Sequence, residues 1–105
     1  MRIYKHKELD AKFYEIVGKA KQMWASYCRQ NYAEFGDSGS CVLGAGISIH
    51  CIPSRCRKAQ PLMIISSNEV AQCQGSLNWE RHHEKVVEYL ISKGIDAYYT
   101  WGNLD

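Results

Sequence analysis

The residues with the clearest chemical potential form a short basic stretch, SRCRK, at positions 54–58. Arg55, Arg57 and Lys58 concentrate positive charge there, and such groups bind small anions or the phosphates of a nucleic acid. The same charges favour the thiolate form of Cys56, which makes it a candidate reactive thiol. The alternative for all four residues is a solvated hairpin tip with an incidental cysteine.

A second stretch, GDSGS at positions 36–40, has nearly the letters that surround the nucleophilic serine of trypsin-like proteases. Such a site needs a histidine and an aspartate before the serine on a β-barrel scaffold, whereas the preceding residues predict one helix. Glycine together with aspartate and serine is typical of a tight turn. We therefore predict that this stretch is a turn and that Ser38 is not catalytic.

Histidines would supply the general base that a small enzyme needs. His83 lies on the apolar side of a predicted helix, which is typical of a hydrogen-bonded core histidine, and His82 is predicted to face outward. The alternative to a binding protein is a small enzyme with one nucleophile, Cys56 or Ser38, and one base among His50, His82 and His83.

Metal and cofactor motifs are absent from the sequence. Neither a CxxC nor an HxxxH pair occurs, although structural zinc sites use such spacings. Alternation along a strand also sends His50 and Cys51 to opposite faces. Gly44 and Gly46 form a GxG inside a predicted strand, and a phosphate-binding loop would need it between a strand and a helix. We predict no metal and no cofactor.

The elements that position these residues follow from the periodicity of apolar side chains. Helical spacing from Leu9 onward predicts an amphipathic helix capped near Asp10 and closed near Gly36. At about 37 Å such a helix exceeds the roughly 33 Å diameter of a chain this size, so we expect it to bend, to end near Ser26 or to protrude. Strict alternation over 41–51 predicts a half-buried strand.

The remaining segments complete an α+β pattern. Residues 62–65 predict a strand at a sheet centre, antiparallel to the first and joined to it by the basic stretch. A second helix is predicted from Ser76 or Asn78 to Gly94, then a strand over 95–101. Further short strands are predicted at 1–5 and 70–74. The order (β)αββ(β)αβ predicts one domain over 1–105, a two-layer sandwich with a mainly antiparallel sheet of about four to five strands and two helices on one face.

One face of the first predicted strand is a second candidate site, formed by Gly44, Gly46, Ser48 and His50. Glycines there allow close approach of a bulky neighbour such as Trp24 or Trp101, of a ligand or of a second subunit. An open face would favour a ligand-binding or enzymatic site, and a covered face an interaction module. Ser48 and His50 are candidate binding residues on this basis.

Composition limits the function classes. Thirteen Lys and Arg against eleven Asp and Glu give a net charge of +2, which is too small for a general polyanion-binding surface, so any basic function is local. Five cysteines at unrelated spacings and a charged MRIYKHKELD start predict a cytoplasmic protein. No apolar run approaches the roughly 20 residues that span a bilayer, so no membrane association is predicted.

The aromatic content predicts self-association. Three tryptophans and seven tyrosines exceed what a core of two helices needs, and aromatic side chains are enriched at interfaces. We expect a homodimer formed through the closing strand, the long helix or both. The predicted function is a non-enzymatic binding or interaction module that self-associates and contacts an anionic ligand or nucleic acid through Arg55, Arg57 and Lys58.

Overall fold

The computed structural model describes residues 1–35, 45–70 and 82–100. Their elements, in chain order, are β1 (Ile3–Lys5), a 3₁₀ turn (His6–Glu8), α1 (Ala11–Phe35), β2 (Gly46–Ile52), β3 (Gln60–Ser66), α2 (Ser67–Val70), α3 (His83–Ser92) and β4 (Tyr98–Thr100). The predicted α+β class is confirmed. The predicted turn with Ser38, the glycine at 44 and the tryptophan at 101 lie outside the described residues.

β2 is the central strand of a four-stranded mixed sheet. β3 pairs with it antiparallel, as predicted, with a register shift between Ile47 and Ser48. Because β3 takes one edge of β2, β1 and β4 share the other edge. β1 pairs parallel to residues 50–52 and β4 antiparallel to residues 46–48.

Two strand predictions need correction. Residues 62–65 do not lie at a sheet centre, since β3 pairs with β2 alone among the described strands. An apolar run shows that both faces of a strand meet apolar surroundings, but it does not show which edges are paired. The predicted strand at 70–74 is wrong at its first residue, because Val70 ends the short helix α2; the rest of it lies outside the described residues.

α1 begins where the sequence predicts. The Asp10 carboxylate accepts a hydrogen bond from the Phe13 N–H at 2.9 Å, which satisfies one of the unpaired amides of the first turn. Among its described side chains, those that face the core recur at helical spacing as far as Cys28; they are Phe13, Val17, Ala20, Trp24 and Cys28. The described side chains beyond this point, at positions 29, 30, 33 and 34, are exposed. These four side chains therefore lie outside the core.

α3 also ends as predicted. Gly94 has a φ of 87°, its N–H donates to the Ile91 carbonyl at 3.0 Å, and the Ile95 N–H donates to the Leu90 carbonyl at 2.9 Å. These two bonds are the paired contacts that a left-handed glycine makes possible at a helix end. Ile95 is buried by this turn. Ile91, predicted on the apolar stripe, is instead 52% exposed.

The core lies between the helices and one face of the sheet, called here the inner face. Its largest fully buried apolar side chains are Trp24, Ile47, Ile49, Ile65, Val86 and Leu90. Burying a side chain of this size stabilises the fold by about 1.5–3 kcal/mol. Burial does not alternate along the first half of β2, where Gly46 to Ile49 are all buried, so the predicted half-buried strand is wrong there. Buried and half-buried residues alternate from Ile49 to Ile52.

β1 is fastened to the turn between α3 and β4 through Tyr4. Its hydroxyl accepts from the Asp96 N–H at 2.7 Å and donates to the Gly94 carbonyl at 3.2 Å. The Arg2 guanidinium donates to the same carbonyl at 3.1 Å, and the Arg2 N–H to the Asp96 carboxylate at 2.7 Å. These contacts join the first residues of the chain to the turn that precedes β4.

Candidate functional site

The basic loop, residues 53–59, connects β2 to β3 at one end of the sheet. A turn opens it, in which the Cys56 N–H donates to the Pro53 carbonyl at 3.2 Å. Arg55, Arg57 and Lys58 are all exposed. The loop therefore presents its three positive charges to solvent.

None of these three cations pairs with a carboxylate within the described residues. Three cations elsewhere do: Arg2 lies 3.7 Å from Glu8, Lys19 lies 4.0 Å from Glu15, and Lys21 lies 3.5 Å from Glu69. A cation with no internal partner keeps its full field in the surrounding solvent. The loop thus presents three such cations within four residues.

The cysteines near this end of the sheet differ in exposure. Cys56 is exposed, and its sulfur accepts a long hydrogen bond of 3.9 Å from the Gln60 amide. No histidine contacts it within the described residues, so no thiol–imidazole pair forms there. Cys51 is buried on the inner face, and burial, together with the negative charge of Glu8, raises its pKa above the usual 9.0. Its thiol is therefore protonated and a poor nucleophile at neutral pH.

The opposite, outer face of β2 is covered at its first residues. A β-carbon added to Gly46 would lie 2.7 Å from the Met63 sulfur and closer still to the Ile65 carbonyl oxygen. The bulky neighbour is thus Met63, since the suggested Trp24 lies in the core. The glycine is required here because a side chain would collide with β3.

Ser48 lies in the same covered part of the outer face. It is only 2% exposed, and its hydroxyl accepts from the Thr100 hydroxyl at 2.8 Å. This bond crosses from β4 to β2 and satisfies a buried polar group, as buried hydroxyls require. The geometry gives Ser48 a structural role, away from any surface ligand.

His50, two residues further along β2, lies in the more open part of the outer face. It is half-buried, and its ring centroid lies 5.1 Å from that of Tyr98 at an interplanar angle of 37°. Its Nδ1 atom is buried and has no hydrogen-bond partner among the described residues. Such an atom calls for a partner from water or a ligand.

The other two candidate histidines lie away from the basic loop. His82 is exposed immediately before α3, in the left-handed region with a φ of 68°, and its ring lies 5.1 Å from that of Tyr27. His83 is half-buried and stacks on Tyr99 at 4.1 Å. Within the described residues, no three His, Cys, Asp or Glu side chains are grouped as metal ligands would be.

The structure thus brings His50 to the same end of the sheet as Arg55, Arg57 and Lys58, and separates Ser48 from them by burial. Sequence reasoning missed Ile3, Lys5 and Tyr98 as members of this surface. Alternation gives the face of each residue within its own short strand. The pairing of β1 and β4 with β2 is a long-range contact, which alternation does not reveal.

Comparisons with family models, with curated proteins and with solved structures found no match to this chain. In the part of the chain that the structure describes, no helix is both long enough and apolar enough to cross a membrane.

Proposed function

We propose that the chain is a small, non-enzymatic binding module that contacts an anionic partner through Arg55, Arg57 and Lys58. The observation that carries the proposal is the exposure of all three cations on one short loop, with no carboxylate partner among the described residues. An anion can bind them without breaking an internal ion pair. Their shared field also raises the local concentration of anions and speeds association.

The expected size of the effect follows from counterion release. Each phosphate-like group neutralised by a cation contributes a slope of about −0.7 to the dependence of log K on log salt for a single-stranded polyanion. Three contacts therefore contribute a slope of about −2. At 0.1 M salt, a protein with these three contacts should therefore bind roughly 100-fold more tightly than a protein without them.

The test compares two triple variants that remove the same amount of charge. The loop variant, Arg55→Ala/Arg57→Ala/Lys58→Ala, removes the three positive charges of the loop. The helix variant, Lys12→Ala/Lys19→Ala/Lys85→Ala, removes three exposed positive charges from α1 and α3. Binding of a fluorescent heparin fragment is titrated between 0.05 and about 0.5 M NaCl, a range wide enough to define the slope. We expect the loop variant to bind at least 30-fold more weakly at about 0.1 M salt, with a slope reduced by about 2.

The helix variant is expected to bind within about threefold of the unmodified protein, because its cations lie away from the loop. An equal loss of affinity in both variants would show that only net charge matters, and would contradict the proposal. So would unchanged binding in the loop variant.

The proposal includes self-association through the helices. Tyr14 on α1 and Ile91 on α3 are large and about half exposed, and side chains of this kind are enriched at protein interfaces. A dimer formed there would leave the sheet face and the basic loop accessible. Light scattering at micromolar concentration should give a mass of twice 12.0 kDa, and Ile91→Arg should return it to the monomer mass. A monomer mass for the unmodified protein would contradict this part.

We also propose a cytoplasmic location. The support is that Cys51 and Cys56 carry thiols and form no disulfide, as is usual in a reducing compartment. Alkylation in freshly lysed cells should label Cys56 without prior reduction. If labelling required a reductant, a disulfide-forming compartment would be indicated.

A further inference from the structure

The outer face of the sheet carries a cluster that composition alone did not predict. Residues paired across neighbouring strands point to the same face. The register pairs His50 with Ile3 and with Pro61, and pairs Ser48 with Tyr98 and with Met63. We call the accessible members of these rows the aromatic patch: Ile3, His50, Pro61, Met63 and Tyr98.

The aromatic patch is accessible and apolar. Ile3 is 50% exposed and Met63 is 37% exposed, while the rings of His50 and Tyr98 are half-buried. Apolar side chains of β1 and β3 thus adjoin the two rings.

The aromatic patch adjoins Lys5 and the cations of the basic loop. Ile52 follows His50 on the same strand face and is paired with Lys5 of β1, whose side chain is exposed. The basic loop starts at the next residue, Pro53. The aromatic patch therefore lies beside four cations: Lys5, Arg55, Arg57 and Lys58.

One carboxylate also lies at this end of the sheet, and its contacts reduce its effect. Glu8 lies 3.7 Å from the Arg2 guanidinium and accepts the Lys5 N–H at 2.8 Å. Its charge is thus partly neutralised. The cations of the basic loop remain without a carboxylate partner in the described chain.

Resting on the proposed function, we infer that the anionic partner is single-stranded nucleic acid, whose bases stack on the aromatic patch while its phosphates contact Lys5 and the basic loop. Aromatic rings stack on bases of any sequence, and a basic groove follows the backbone. Sheets with exposed aromatic side chains bind unpaired bases in this way, whereas a duplex hides its bases inside the stack. A free phosphate or an acidic peptide would use the loop but not the rings.

The experiment measures binding of a labelled ten-nucleotide oligouridine by fluorescence anisotropy, beside the heparin fragment. Tyr98→Leu removes the ring, Tyr98→Phe restores it, and Tyr89→Leu is the control, since Tyr89 is a half-buried tyrosine of α3. Stacking on one aromatic side chain contributes about 1–3 kcal/mol, so Tyr98→Leu should weaken oligouridine binding by about 10-fold or more. Tyr98→Phe and Tyr89→Leu should bind within about twofold, and heparin binding should be unchanged in all three.

Each other outcome overturns the inference in a recognisable way. If loop variants lose oligouridine and heparin equally while Tyr98→Leu binds both normally, the loop binds anions and the patch is not used. Equal affinity for oligouridine and its duplex, or for polyglutamate, would exclude base stacking as well. A concentration-dependent dimer lost in Tyr98→Leu, without oligouridine binding, would assign the patch to a second copy of the chain. If circular dichroism shows that Tyr98→Leu is unfolded, His50→Ala replaces it with the same expected result.

Discussion

The two halves of β2 have opposite surroundings. Gly46 and Ser48 are buried on the outer face, the first under Met63 and the second by its hydrogen bond to Thr100. His50 and Ile52 are only half-buried, and the strand then continues into the exposed basic loop. One strand therefore has a half that stabilises the sheet and a half that is open to a partner.

The difference arises from the neighbouring strands. β4 borders the first half and places Tyr98 and Thr100 on the outer face, while β1 borders the second half and places Ile3 and Lys5 there. The inner face is buried along both halves, at Ile47, Ile49 and Cys51. The proposed binding surface thus lies at one end of a strand whose inner face belongs to the core.

The largest expected effect is in the covered half. Gly46→Ala places a methyl group against the Ile65 carbonyl oxygen and within 2.7 Å of the Met63 sulfur. Backbone atoms cannot move away without breaking the strand pairing, so the free energy of unfolding should fall by about 3 kcal/mol. Urea denaturation measures this change.

Gly18→Ala is the matched control, because nothing lies within 4 Å of the added β-carbon. It should raise the free energy of unfolding by about 0.5–1 kcal/mol through helix propensity. A Gly46→Ala variant as stable as the unmodified protein would contradict the covered first half.

The next effect concerns the strand that borders the open half. Tyr4→Phe removes a hydroxyl that joins the Gly94 carbonyl and the Asp96 N–H. Both backbone groups are left without this partner, so we expect a loss of about 2 kcal/mol in urea denaturation. Tyr14→Phe removes an exposed hydroxyl and should cost under about 0.5 kcal/mol. Equal effects would mean that Tyr4 does not fasten β1.

Smaller changes in stability are expected from one substitution in each half of β2. Ser48→Ala removes the acceptor of the Thr100 hydroxyl in a buried site and should cost about 1 kcal/mol. His50→Phe keeps a ring beside Tyr98 and removes a buried nitrogen that has no partner among the described residues. It should be neutral or stabilising by up to about 1 kcal/mol. The reverse order in thermal melts would contradict the distinction between the halves.

The smallest effect is expected for the thiol of the loop, whose removal should not change binding. Cys56 is exposed, while Cys28 and Cys51 are buried and burial raises the pKa of Cys51. Iodoacetamide at pH 7.5 should modify Cys56 faster than either, by at least about 10-fold. Cys56→Ser should leave oligouridine and heparin binding unchanged. Loss of binding in that variant would favour a functional thiol instead.

The sequence predicted the parts of the fold that depend on local physics. Asp10 and Gly94 marked helix ends because capping and a left-handed glycine act within one turn. Alternation identified the inner face of β2. The prolines and basic residues that follow it identified the connection to β3. Ile91 was misplaced because the buried residues of α3 are Val86 and Leu90, and apolar content alone does not show which side chains next to that stripe meet the core.

Only the part of the candidate site that is contiguous in the sequence could be predicted. Arg55, Arg57 and Lys58 are neighbours in sequence, so their charge was evident. Tyr98 meets His50 across 48 positions of the chain, and only the register of β4 brings them together. The cover on Gly46 also depends on the register shift in β3, which no periodicity reveals.

The most direct measurement follows backbone amide shifts of ¹⁵N-labelled protein as oligouridine is added. The open half should respond: the amides of His50 through Lys58, of Ile3 to Lys5 and of Tyr98 should shift with one common dissociation constant. Amides of Ile47, Val86 and Leu90 in the core should stay in place. Shifts confined to α1 and α3, or the absence of any shift at saturating oligouridine, would contradict a binding surface on the open end of β2.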